Sequence, residues 1–171
     1  MRGALLLLLL AACGSAPRGE SDWERAHLGE QPVEEEVTPP AYPAAANLIE
    51  FAVDEERGFR FFVDRASLSP GKDGVVRYVL VARSSEGAQN VTYEGVRCTS
   101  AEQRVYALGR PDGSWVAARA PWRPLAAPRH RTLYREYLCP DGRPVRSAEA
   151  GVRALERGAQ SYRSRVEGGG R

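Results

Sequence analysis

The densest block of apolar residues runs from Val75 to Ala82, and the other strand-like segments are arranged around it. Neither of its alternating side-chain sets is consistently polar, which favours a central strand covered on both faces. Turn residues separate it from its neighbours, among them Asp73-Gly74, which tolerates a positive φ. The other runs of strand composition are Leu48 to Val53, Phe59 to Asp64, Val91 to Cys98, Glu102 to Gly109 and Trp115-Val116. About five or six strands joined mostly by tight turns predict an antiparallel β-meander.

Helical periodicity appears only toward the C-terminal end of the chain. Residues 131–138 carry apolar side chains at helical spacing, and Ser147 is a typical N-cap residue for a second helix. We expect Gly158 to end that helix and residues 159–171, rich in Gly and Arg, to be disordered. The predicted fold class is therefore α+β, an antiparallel β-meander with one or two C-terminal helices packed on it.

The first residues have the order of an export signal. A single basic residue, Arg2, precedes six leucines, and the segment closes at Cys13 with the sequence Leu-Ala-Ala-Cys. The apolar run is too short to span ~30 Å of hydrocarbon as a helix. The closing sequence resembles a bacterial lipobox, which implies that residues 1–12 are a signal peptide and that Cys13 is acylated. An ordinary cleaved signal that contains a cysteine is the alternative.

The lipobox resemblance determines the expected location. One acyl chain, such as palmitate, anchors a protein only marginally, whereas the several chains that the resemblance implies would hold it permanently on a lipid bilayer. Gly14 after the cysteine resembles lipoproteins sorted to the outer membrane of Gram-negative bacteria. We therefore expect an exported, lipid-anchored protein that faces the periplasm or the cell surface.

Residues 13–46 are predicted to be a tether of lipidated Cys13 and a disordered Pro- and Glu-rich segment, because little periodic hydrophobicity occurs there. The acidic run 34–36 is expected to be solvated. Trp23 is an exception, and it has two interpretations: it docks back on the domain, or it lies at the lipid interface. Residues 47–158 form the single predicted domain, since the remaining length suffices for one core.

Charge excludes one class of partner. The chain has 24 basic and 22 acidic residues, and removing the signal deletes Arg2 and leaves 23 basic residues. General nucleic-acid binding depends on neutralising many phosphates, so a mature chain this close to neutrality is not expected to bind nucleic acid.

Two cysteines, Cys98 and Cys139, remain once Cys13 is assigned to lipid. An even pair in an exported domain is most simply a disulfide, whereas a catalytic thiol would need a nearby imidazole and a zinc site would need more ligands. The bridge would join the end of the Val91 strand to the first predicted helix. Its Cα atoms should then lie within ~4.4–6.8 Å of each other.

A combination of short motifs is spread over about residues 23–158. The motifs are Pro40-Ala41-Tyr42-Pro43 with Asn47-Leu48-Ile49, Arg60 to Asp64, Ala66 to Ser69, Asp73 to Tyr78, Tyr93 to Cys98 and Leu138-Cys139-Pro140. Together they resemble the CNP1-like family of small exported bacterial domains, many of which are lipoproteins. The family has no established biochemical activity, so the resemblance implies compartment and fold and does not imply a mechanism.

The sequence carries few catalytic signals. The two histidines are His27 in the tether and His130, so no multi-histidine metal site and no cofactor are expected. Neither a Gly-x-Ser-x-Gly elbow nor a phosphate-binding glycine loop occurs. Arg77, on an otherwise apolar strand, is expected to pair with an acid such as Glu94 or to lie near a strand end. Candidate acids, whose pairing spacing alone does not reveal, are Asp64, Glu94 and Asp112. The chain is not expected to be an enzyme.

The best candidate interaction surface is the cluster of Trp115, Arg119, Trp122 and Arg123 after the last strand, because aromatic and arginine residues anchor binding surfaces. The alternative is that the tryptophans cap the open end of the sheet and the arginines solvate its rim. The leading functional hypothesis is a lipid-anchored, non-enzymatic envelope module that contacts an envelope protein or the cell wall. A small periplasmic hydrolase or small-ligand-binding domain, with a pocket under the sheet, is the alternative.

Overall fold

The strand-forming runs of the sequence pair into one antiparallel sheet in the structure, a computed structural model that describes residues 34–168. Its strands are β1 (Leu48–Phe51), β2 (Phe59–Asp64), β3 (Ser69–Pro70), β4 (Val75–Ser84), β5 (Gln89–Arg97), β6 (Glu102–Gly109), β7 (Trp115–Ala117) and β8 (Arg123–Pro124). The helices are α1 (Pro128–Thr132), which continues as a π-helical segment (Leu133–Leu138), and α2 (Ala148–Gly168); short 3-10 turns lie at Ala45–Asn47 and Pro140–Gly142.

Sheet order confirms the predicted meander. The strands lie side by side in the order β1-β2-β4-β5-β6-β7, while the two-residue strands β3 and β8 pair with β4 and β6. Every pairing is antiparallel. Gly74 has a φ of +76°, so the predicted Asp-Gly turn before β4 uses the left-handed conformation that glycine permits.

Both faces of β4 are covered, as its composition predicts: Val75 through Val81 are buried. Successive side chains point to opposite faces, so Tyr78 and Leu80 join the core cluster that contains the helices. Val79 and Val81 join a second cluster on the other face. We call the first side, which the helices cover, the helix face. We call the second side, against which residues 34–46 pack, the strap face.

The strap is residues 34–46, which lie along the strap face of the sheet. Val37 and Tyr42 pack against the second core cluster, and the Tyr42 ring approaches so closely that a Cβ added at Gly109 would lie 2.8 Å from it. The prediction that the disordered tether extends to Ala46 is therefore wrong for these residues. Side chains spaced without helical or strand periodicity hold the strap, which explains why the sequence pattern does not reveal it.

Helix α2 is longer than predicted. It runs through Gly158 to Gly168, so the predicted stop, and the predicted disorder of residues 159–168, are wrong; residues 169–171 lie outside the described part. The physical reason is packing, because a Cβ at Gly158 would lie 2.5 Å from the Tyr137 ring. The absence of a Cβ at Gly158 therefore allows the Tyr137 ring to pack directly against the helix backbone, and the helix continues past this residue. At the other end, the Ala150 N–H donates to Ser147 Oγ at 3.2 Å, which is the predicted cap.

The predicted disulfide joins Cys98, just after β5, to Cys139 at the end of the π-helical segment. Their Cα atoms are 5.4 Å apart, within the expected range, and both residues are buried. The bridge fixes the helical layer to the sheet. The Tyr134 hydroxyl adds a second link there by donating to the Cys98 carbonyl at 3.0 Å.

Candidate functional site

The helices cover only part of the helix face and leave an open groove beside them. Its cavity volume is about 520 Å³. The groove lies over β2, β4, β5 and β6 and is bordered by the loop after β1 and by α1. Its lining residues are Glu56, Phe59, Phe61, Leu80, Ala82, Asn90, Val91, Thr92, Glu94, Leu108, Gly109 and Arg129.

Strand register explains why the groove is apolar. Phe61 lies opposite Ala82 and Leu108 lies opposite Thr92, which places these side chains on the same face of neighbouring strands. Phe59 and Leu108 are each 48% exposed, and they are the large exposed hydrophobic residues of the described region. The Phe59 ring stacks on Phe61, with centroids 6.1 Å apart. Uncovered apolar surface on a well-filled sheet is a common sign of a binding site.

A buried polar cluster centred on Glu94 lies at the inner end of the groove. The Thr92 hydroxyl donates to Glu94 Oε1 at 2.6 Å, and the Tyr78 hydroxyl donates to Oε2 at 3.4 Å. His130 Nε2 lies 2.9 Å from Oε2. Both carboxylate oxygens therefore have partners within the protein.

Environment holds the Glu94 side chain in its charged form. Burial acts to raise the pKa of Glu94, but the contacts with His130 and Thr92 outweigh burial and leave the pKa below its usual value. Burial and the neighbouring Glu94 charge raise the pKa of Tyr78 well above its usual value, so its hydroxyl stays protonated and acts as a donor.

Helix α1 has three consecutive basic residues, and each of them meets a glutamate. Arg129 Nη1 lies 2.7 Å from Glu56 Oε2, and the Arg129 backbone N–H donates to Glu56 Oε1 at 2.9 Å. His130 contacts Glu94 as described, and Arg131 Nη2 lies 2.9 Å from a carboxylate oxygen of Glu55. The pairs fix the groove wall formed by α1 to the sheet and to the loop after β1.

Of the candidate acids, only Glu94 lies in the groove. Asp64 is buried but bonds within its own turn, where its carboxylate accepts the Ala66 N–H at 3.4 Å. Asp112 likewise accepts the Ser114 N–H at 2.9 Å in the turn before β7. Neither lines the groove, so the structure does not assemble a pair of facing carboxylates from these three residues.

Arg77 pairs with an acid, as expected, but that acid is Asp73 and not Glu94. Glu94 lies opposite Tyr78 in the β4–β5 register and points to the helix face, whereas Arg77 points to the strap face. Arg77 instead makes a two-fold contact with Asp73, in which Nη1 donates to Oδ1 at 3.1 Å and Nη2 contacts Oδ2. Asp73 also accepts the Glu35 backbone N–H at 3.1 Å, so this buried pair helps to hold the strap.

The predicted interaction cluster divides into two parts. Trp115 is half-buried against Tyr42 and donates from Nε1 to the Pro40 carbonyl at 2.9 Å. Trp122 donates from Nε1 to the Glu34 carboxylate at 3.1 Å. Arg119 and Arg123 are exposed. The two tryptophans therefore bind the strap, and the two arginines alone remain available on that surface.

Glu34, predicted to be solvated, has the most side-chain partners of any strap residue. Besides Trp122, it accepts from the Tyr106 hydroxyl at 2.6 Å and from Arg104 Nη1 at 2.8 Å. Burial acts to raise the pKa of Glu34, but these three donors outweigh burial and hold the pKa below its usual value. We call Glu34, Arg104, Tyr106 and Trp122 the Glu34 clamp.

Sequence reasoning missed the groove and the clamp. The alternation of apolar residues in β2 and β6 would place Phe59 and Leu108 on defined faces, but it does not show which part of a face the helices leave uncovered. Cys13, the predicted lipid-attachment residue, lies outside the described residues, as do Trp23 and His27. Within residues 34–168, no group of three or more His, Cys, Asp or Glu side chains could hold a metal ion. No helix of that range is long and apolar enough to cross a membrane.

Comparison with known families places the chain in a family. The family model of the CNP1-like family matches residues 29–156, well over half of the chain. This confirms the resemblance carried by the short motifs. Neither the curated proteins nor the solved structures contain a match to the chain.

Proposed function

The chain belongs to the CNP1-like family, and we propose that it is a non-enzymatic interaction module of the bacterial cell envelope. In this proposal Cys13 is acylated and anchors the chain in the outer membrane, with the domain facing the periplasm or the cell surface. The domain contacts an envelope protein or the cell wall.

The uncovered apolar groove is the observation that supports this proposal. Phe59 and Leu108 remain nearly half exposed although the sheet beneath them is well packed. Exposing such surface is unfavourable in water by ~25 cal/mol per Å², so its retention favours a partner that covers it. We therefore assign the contact surface to the groove, with Arg119 and Arg123 as a second, polar surface for the same or another partner.

Small-ligand binding is the second candidate, and the shape of the groove favours it. A cavity of about 520 Å³ lies within the range of small-molecule sites, which are mostly apolar with a few convergent polar groups. Hydrolysis at this site would depend on Thr92 and Glu94, the hydroxyl and carboxylate that are hydrogen-bonded to each other on the groove wall.

Site-specific photocrosslinking in cells distinguishes the surfaces. A photoreactive amino acid at Asn90, which is exposed and lines the groove, should give a discrete crosslinked partner. The same amino acid at Arg123 tests the polar surface, and at Ala117, which is exposed on the opposite face, it serves as the matched control.

The groove assignment requires that Leu108→Asp remove the Asn90 adduct, because the substitution adds a charge to the apolar wall and Leu108 is exposed enough to tolerate it. Adducts at Arg123 alone would move the contact surface to the arginines. Absence of adducts at both positions would contradict the interaction-module proposal.

A further inference from the structure

We propose that the group of the partner protein that enters the groove is an uncharged, apolar side chain. This inference rests on the proposed function and assigns the chemistry of the contact. It follows from two observations: the charged residues of the groove are already paired within the protein, and most of the remaining lining is apolar, with Asn90 and Thr92 as the polar exceptions.

The pairing of charges is the first observation. Glu56, Glu94 and Arg129 are the charged residues that line the groove. Both oxygens of Glu56 accept from Arg129, one from the backbone N–H and one from Nη1. An entering ion would therefore have to compete with a pair that already exists, or remain unpaired in a partly dry site, and both are unfavourable.

Glu94 is closed to an entering cation in the same way. Its side chain is 4% exposed, and its two oxygens meet Thr92, Tyr78 and His130. Arg129 lies over the Phe61 ring, with Cζ 5.7 Å from the centroid, so the face of that ring is also occupied by a cation of the protein itself. Electrostatic recognition of a charged ligand thus has little to use in this groove.

The mostly apolar lining is the second observation. Phe59 and Leu108 lie on opposite sides of the groove, on β2 and β6, with Leu80 and Ala82 of β4 between them. The cavity volume of about 520 Å³ leaves room for one or two large side chains. An aromatic or branched aliphatic side chain would cover Phe59 and Leu108 without disturbing either ion pair, as the buried anchors of protein interfaces do.

A matched pair of fluorescent probes tests the chemistry. N-phenyl-1-naphthylamine is uncharged, and 8-anilinonaphthalene-1-sulfonate has the same aromatic skeleton with an added sulfonate. Each is titrated into the full-length chain carrying Cys13→Ser, which removes the acylation site, in detergent-free buffer. We expect saturable binding of the neutral probe. The anionic probe should bind more weakly by about tenfold or more, because the groove offers its sulfonate no cationic group that is not already paired.

The variants locate the binding. Leu108→Asp should weaken the neutral probe by about tenfold or more, since it introduces a carboxylate into the apolar wall. Ala117→Asp, the same charge on an exposed position of the opposite face, should leave it unchanged. Saturating neutral probe should also suppress the Asn90 photocrosslink to the partner.

Anionic probe bound as tightly as the neutral one, or neutral-probe binding that survives Leu108→Asp, would overturn the assigned chemistry. The interaction module would still stand in that case if the Asn90 photocrosslink forms. Neutral probe that binds in the groove while no protein crosslinks from Asn90 would overturn the side-chain assignment and favour a free apolar ligand.

Discussion

The Glu34 clamp tests most directly whether the strap is part of the fold. Glu34→Ala removes the acceptor of three donors on two different segments: Arg104 and Tyr106 in β6, and Trp122 before β8. Because it precedes every strand, the residue would be dispensable if the domain began at Asn47. We instead expect the substitution to lower the free energy of unfolding substantially.

The magnitude follows from the hydrogen bonds. Bonds to a charged acceptor are each worth roughly 1.5–3 kcal/mol. The Arg104 side chain is 32% exposed, however, so it regains water when Glu34 is removed, and its ion pair adds little. The Tyr106 and Trp122 bonds would together contribute about 3–6 kcal/mol. Both donors are only partly buried and regain some water when Glu34 is removed, so we expect a loss of about 2–3 kcal/mol, which for a domain of this size lowers the Tm by roughly 5–10 °C. Thermal or urea unfolding measures it.

Glu36→Ala is the matched control, since Glu36 lies two residues away in the same acidic run and is exposed. It should change stability by less than about 0.5 kcal/mol. A double-mutant cycle of Glu34→Ala with Tyr106→Phe should give a coupling energy on the order of 1 kcal/mol, because the two groups share one hydrogen bond. Equal effects of Glu34→Ala and Glu36→Ala, with no coupling, would refute a stabilising clamp.

The clamp also has a defined pH dependence. The pKa of Glu34 in the folded protein is lower than its usual value, so its ionised form stabilises the fold at pH values above the unfolded-state pKa of about 4.3. That stabilisation is lost as the pH falls through the lower, folded-state pKa. The stability difference between wild type and Glu34→Gln should therefore be largest near neutrality and decline in acid.

Three further predictions concern other parts of the chain. Cys98→Ser and Cys139→Ser should each lower the free energy of unfolding by roughly 3–4 kcal/mol, since either change deletes the same cross-link; in the native oxidised protein neither residue should react with a thiol reagent, and two reactive thiols would contradict the bridge. Gly158→Ala should lower the free energy of unfolding by about 1–3 kcal/mol despite alanine's higher helix propensity, because its Cβ would clash with the Tyr137 ring. Ser161→Ala, at an exposed position of the same helix, should not lower it. Equal stability of the two variants would refute the close contact. Cys13→Ala should abolish metabolic fatty-acid labelling, and labelling that persists would exclude lipidation at this residue.

Strands could be predicted from the sequence because their signal is local. The dense apolar block of β4 and the Asp-Gly turn before it fix the centre of the sheet, and the short connections between the longer strands leave little choice but a meander. The disulfide could also be predicted, because two cysteines in a domain expected to be exported have one simple pairing. The strands and turns were inferred from residues that lie close together in the sequence. The disulfide was inferred from two cysteines that can pair in only one way.

The strap and the end of α2 could not be predicted because their causes are contacts distant in sequence. Glu34 resembles any residue of a solvated acidic run, and its three donors come from residues 70 to 88 positions later. Gly158 has the composition of a helix stop, and only the position of the Tyr137 ring makes it an internal residue. Local propensity lost to tertiary packing in both cases.

Arg77 and Glu94 show how the alternation of a strand separates the two halves of the molecule. The residues lie on adjacent central strands, yet a shift of one position along β4 sends Arg77 to the strap face and leaves Tyr78 opposite Glu94. Arg77 then binds Asp73, and Asp73 accepts the Glu35 backbone N–H. This contact holds the strap against the sheet, so that the strap covers that face. Glu94 binds His130, which positions α1 beside the groove and leaves that face partly open. The buried charge on the strap face thus completes the fold, whereas the one on the helix face shapes the surface to which we assign binding.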